Sequence, residues 1–105
     1  ARLRQGETGR ALADAEEAAG IYRDVTEVSA GDKRSVRNLV LTRELIGDIH
    51  QTRQASREAK ASYGEAVALL EKLRDDNALA AVDVAYLEKL RAKASGTAHA
   101  AGAAP

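Results

Sequence analysis

Cysteine, methionine, tryptophan and phenylalanine are all missing from the 105 residues, and the single proline is at position 105. Without cysteine there is no disulfide framework and no thiolate metal site, although such a chain suits reducing and oxidising compartments alike. With no Phe, Trp or Met, the interior has to be built from Ala, Leu, Val and Ile with three Tyr, and side chains this small favour closely packed helices. The near-absence of proline removes the strongest helix breaker, and the best helix formers make up much of the rest. An excess of either charge is missing too: Lys plus Arg and Asp plus Glu number 16 each. Neither half is a basic arm, so the clustered positive patch that phosphate binding requires is absent and nucleic acid is not an expected partner. No run reaches the roughly 18 uninterrupted apolar residues of a membrane span, and no apolar signal core stands at the N-terminus. A cytoplasmic, soluble chain is expected, and the lack of a starting Met points to a piece of a longer polypeptide.

What is present is helical periodicity, and an all-α fold of about four helices follows from it. The first helix is predicted over about 7–28, with Ala11, Ala15, Ala18, Ile21, Tyr22 and Val25 on one face. Gly31 is placed to end it, and Asp32 to cap a second helix running to Thr52. Val36, Leu39, Val40, Ile46 and Ile49 form the second stripe, widened by Leu41 and Leu45. Ser56 is the expected N-cap of a third helix, 56–75, which turns Ala59, Tyr63, Ala66, Leu69, Leu70 and Leu73 inward. Asp75-Asp76-Asn77 breaks it. The fourth, about 78–94, carries Leu79, Val82, Tyr86, Leu87 and Leu90 and ends at Ser95-Gly96. Residues 1–96 form one domain on this reading, and 97–105 an Ala/Gly-rich tail without a stripe to bury.

A shift of 48 residues, the difference between positions 11 and 59, superposes Ala11 on Ala59, Glu17 on Glu65, Ala18 on Ala66, Val36 on Val84, Leu39 on Leu87 and Arg43 on Arg91. Self-similarity at the period of a helix pair is the mark of a helical solenoid, in which each hairpin buries its face against the next. Within the repeat, Ile46, Gly47, Ala59, Tyr63 and Ala66 stand at the spacings of a tetratricopeptide repeat, and the segment resembles that family. Gly47 and Ala59 would remove bulk where two antiparallel helices touch, while Tyr63 fills the space between hairpins. Arg43, His50 and Glu71 depart from the family's Trp, Tyr and Pro, and the family's usual period is about 34 residues. Longer-period relatives include arrays in kinesin light chains and in the tails of bacterial signalling proteins, among them serine/threonine kinases.

Catalytic chemistry is hard to find. His99 lies in the tail, and His50 has neither an acid nor a second His at a ligand's spacing, so neither a metal nor a cofactor is expected. The paired acids Glu16-Glu17 and Asp75-Asp76 point in different directions on their helices and cannot converge on a substrate. Gly6 and Gly9 lack the strand-to-helix context of a phosphate loop. The chain is therefore not expected to be an enzyme.

The expected function is that of a protein-interaction module, a scaffold or adaptor whose inner helical surface receives a peptide or helix from a partner. The resemblance places groove-facing positions at Leu41, Glu44, Asp48, Gln51, Thr52 and Lys89. Glu44 and Asp48 give that patch a negative cast, which suits a basic segment. The alternative is a structural or self-associating segment. Two hairpins rarely bury a continuous solenoid core, so apolar edges are expected at Leu3, Ala11, Leu87 and Leu90.

Overall fold

The computed structural model describes residues 5–29, 33–76 and 79–96. Among them the chain forms α1 (Gln5–Val28), α2 (Lys33–Thr52), α3 (Ser56–Asp75) and α4 (Val82–Ser95), with no strand. Consecutive helices pack as hairpins. Along α2 and α3 the paired residue numbers run in opposite senses, Arg43 meeting Glu65 while Asp48 meets Tyr63, so the two helices are antiparallel. Along α2 and α4 they rise together: Arg37 meets Asp83, Glu44 meets Tyr86 and Asp48 meets Lys93. These two helices therefore lie side by side in the same direction, with α3 packed against both.

Two clusters make up the interior. Val40, Ala59, Tyr63, Ala66, Leu70, Leu87 and Leu90 join α2, α3 and α4. Ala15, Ala19, Leu39, Ile46 and Ile49 join α1 to α2, and Leu69 packs against both clusters. The small residues decide how close the helices come. A Cβ on Gly47 would meet the buried Tyr63 ring, while Ala59 and Ala66 are fully enclosed.

Several local expectations are corrected. Ile21 is 56% exposed and Val25 38%, because the stripe of α1 that packs on α2 runs through Thr8, Leu12, Ala15, Ala19 and Tyr22 instead. Leu41 and Leu45 do not widen the buried stripe of α2; both are exposed on the side away from α3. Val82 is exposed as well, whereas Leu87 and Leu90, expected as open edges, are closed off by α3. Ala11 is partly covered by α2, and Leu3 lies outside the described residues.

The helix ends also differ in detail. Gly31 and Asp32 fall outside the described residues. Ser56 is not an N-cap: the backbone of α2 ends with Gln54 in the left-handed region (φ 61), its N–H donating to the Gln51 carbonyl and that of Ala55 to the His50 carbonyl. This double closure satisfies the last carbonyls of α2 and leaves Ala55 as the cap of α3, so Ser56 is already in its first turn. Residues 79–81 are not helical and the fourth helix begins at Val82, with Asp83 in its first turn paired to Arg37, while Ala78 lies outside the described residues. Its end is as read: Gly96 takes a left-handed φ of 81 and donates to the Lys93 carbonyl.

Candidate functional site

The parallel pairing of α2 and α4 places polar side chains from both helices in one seam. At its N-terminal end Arg37 donates through Nε and Nη2 to the two oxygens of Asp83, at 3.2 and 3.1 Å. The Asp83 carboxylate is nearly enclosed, and the planar fork of arginine suits such two-point contact. Further along, Lys93 projects back from α4 and donates to Glu44 at 2.7 Å and to Asp48 at 3.1 Å. Tyr86 donates its hydroxyl to Glu44 at 2.6 Å, and Tyr63 donates to Asp48 at 2.5 Å. The Lys93 ammonium lies 5.3 Å from the centre of the Tyr63 ring, close enough for attraction to the π face.

The cluster is electrostatically closed on itself. Partial burial pushes the Glu44 carboxyl up, but the hydrogen bonds from Lys93 and Tyr86, with the charges of Lys93 and Lys89, outweigh it and hold the group below the ordinary glutamate range. Burial lowers Lys93, yet its bonds to Glu44 and Asp48 leave it raised. Both tyrosines are raised, by burial first and then by the carboxylates they donate to.

Above this floor opens a concavity of about 510 Å³, lined by Asp48, Gln51, Thr52, Ser56, Lys60, Tyr63, Lys93 and Gly96. Three elements build it. The last turn of α2 supplies Gln51 and Thr52, the latter donating its hydroxyl to the Asp48 carbonyl. The first turns of α3 bring Ser56 and Lys60, and α4 ends at Gly96, against which the Lys60 chain rests. A cation there is favoured by the negative end of the α4 dipole. The hollow offers amide, hydroxyl and ammonium groups over a tyrosine, an arrangement fitted to holding a polar segment.

Of the positions expected to face the groove, Asp48, Gln51 and Thr52 line this concavity. Glu44 sits within the seam, its side chain only 13% exposed. Lys89 is exposed on α4, where its charge acts on Glu44. Leu41 is exposed nearly two turns before Asp48 on α2 and is not among the residues lining the hollow. Lys93 binds both Glu44 and Asp48 and offsets one of their two negative charges, so the negative cast expected of them is reduced. Sequence reasoning missed Lys93, Lys60 and Tyr86. Lys89 and Lys93 stand one helical turn apart, which was a legible signal, whereas the approach of Lys60 to the end of α4 depends on tertiary packing.

Among the described residues no group of three His, Asp or Glu is placed to hold a metal ion, and no helix is long and apolar enough to cross a membrane. No family model, curated protein or solved structure compared with the chain matches it.

Proposed function

We propose that the chain is a protein-interaction module of tetratricopeptide-like hairpins, a scaffold segment of the kind found in the tails of bacterial signalling proteins. Its inner surface, formed by α2 and α4, receives a peptide or helix from a partner. The observation that carries this reading is the concavity over Tyr63 and Lys93, bordered by Gln51, Thr52, Ser56 and Lys60. The close contact of Gly47 with Tyr63 agrees with the family's logic of a small residue where helices of a hairpin meet.

The pinned floor favours binding without prior rearrangement, since Tyr63 and Lys93 are already held by Asp48 and Glu44. With Lys93 offsetting one of the two acids and Lys60 at the rim of the hollow, the preferred partner is a polar segment of mixed charge. Peptides selected on the immobilised chain test this. Binding is expected to fail on Thr52→Trp, which fills the hollow, and to weaken on Lys60→Glu. A binder indifferent to both changes sinks the proposal.

A further inference from the structure

The internal repeat gives each helix a counterpart, and two of the faces so related lack a partner among the described residues. The repeat pairs α1 with α3 and α2 with α4, and α1 packs on α2 as α3 packs on α4. In the middle of the chain, however, α3 also packs on the preceding α2. It does so through Tyr63 against Gly47 and Asp48 and through Glu65 against Arg43, while Leu69 packs against the cluster that joins α1 to α2. Their counterparts on α1, taken 48 residues earlier, are Ala15, Glu17 and Ile21. Ala15 is already buried against α2, so the open edge of α1 is the one that carries the exposed Glu17 and Ile21, with Val25 one turn further on. The apolar face of α1 is thus the face on which α3 accepts α2.

The other end of the chain carries the complementary surface. Where α2 presents Arg43 and Gly47 to α3, α4 carries Arg91 and Ser95, a guanidinium and a small residue in the same register, and Val84 stands at the position of Val36. Val84 is 53% exposed. Charge makes the relation specific. Arg43 and Glu65 form an ion pair at 3.0 Å across α2 and α3, and their repeat counterparts are Arg91 on α4 and Glu17 on α1. Those two residues lie on opposite terminal helices, so the equivalent pair can form only between two molecules.

We propose that copies of this chain associate head to tail, α4 of one copy packing antiparallel on α1 of the next as α2 packs on α3, with Arg91 of the first copy opposite Glu17 of the second. Such a contact is heterologous, so it leaves each end of the pair open and extends into an array. Arg91 already serves Glu71 and Glu88, at 2.8 and 2.6 Å, and a guanidinium with five N–H donors can take on a further carboxylate. Glu88 stands where α2 buries Val40, and moving its carboxylate to the rim makes the contact a weak one. This inference rests on the repeat and on the outer faces of α1 and α4, away from the concavity, so the two readings fail separately.

Sedimentation velocity of the full chain over a wide concentration range tests it. The average mass is expected to climb past that of a dimer. Glu17→Arg and Arg91→Glu should each raise the apparent dissociation constant roughly tenfold or more, the effect of facing like charges in an interface. An equimolar mixture of these two variants should associate again, because the swapped charges then alternate along the array. Ile21→Glu should abolish association with the circular dichroism unchanged, since Ile21 is exposed in the single chain. A chain monomeric at every concentration overturns the proposal. So does a mass that stops at the dimer, or association indifferent to Glu17→Arg.

Discussion

Gly47 lies directly against Tyr63: a Cβ added to the glycine would sit 2.5 Å from Cε1 and 2.7 Å from Cδ1 of the ring. The ring is buried and cannot swing aside, since its hydroxyl is tied to Asp48 and its edge packs among Leu87 and Leu90. Gly47→Ala should therefore destabilise the domain by about 1–3 kcal/mol, and Gly47→Leu by more, despite the better helix propensity of both residues. Thermal unfolding measures this. An alanine variant as stable as the parent would show that the two helices do not meet this closely.

Removing one member of the central polar cluster should cost more than removing a pair. Lys93→Met leaves the Glu44 carboxylate in its enclosed place without a cation and is expected to cost about 1–3 kcal/mol. Adding Glu44→Gln should recover part of that loss. A double-mutant cycle in denaturant gives the coupling, and strictly additive losses would mean that Lys93 and Glu44 act independently.

The same cluster sets the response to pH. Glu44 is held below its ordinary value, so its contribution is present at pH values above the unfolded glutamate pKa of about 4.3 and is lost as pH falls through the folded value. Lys93, Tyr63 and Tyr86 are raised, so their contributions are complete below roughly pH 10 and disappear as pH rises through the folded values. Stability should thus fall at both extremes. Glu44→Gln should flatten the acid limb, and an unchanged acid limb in that variant would contradict the assignment.

The turn between α2 and α3 holds a correctable strain. Gln54 adopts φ 61, a conformation that disfavours side chains with a Cβ. Gln54→Gly should stabilise the chain by about 0.5–1 kcal/mol, the relief exceeding the added freedom of the unfolded state. A destabilising outcome would place the turn in another conformation.

These features were unequally legible in the sequence. Periodicity located all four helices, because an Ala- and Leu-rich chain without internal proline has few other choices, and it placed the ends of α3 and α4 at Asp75 and Gly96. The resemblance placed Gly47 and Ala59 where the helices of a hairpin touch, and gave Tyr63 the space between hairpins, whereas its ring lies against Gly47 of its own hairpin as well as among Leu87 and Leu90 of α4. Periodicity misplaced Ile21 and Val25 because α1 is apolar on two faces, and a helical wheel cannot say which of them meets a neighbour. The groove positions Asp48, Gln51 and Thr52 came from one helix and were found together. The salt bridges from Lys93 to Glu44 and Asp48 were not visible, as they depend on α4 running parallel to α2, a relation that only the stacked hairpins create.

The most direct test of the proposed interaction surface is residue-level mapping by NMR, titrating the labelled chain with a peptide selected on it. Amide shifts are expected to concentrate at Asp48, Gln51, Thr52, Ser56, Lys60 and Lys93, with Glu7 and Arg10, exposed near the start of α1, unchanged. Shifts centred on α1, or spread evenly over all four helices, would contradict a binding site between α2 and α4.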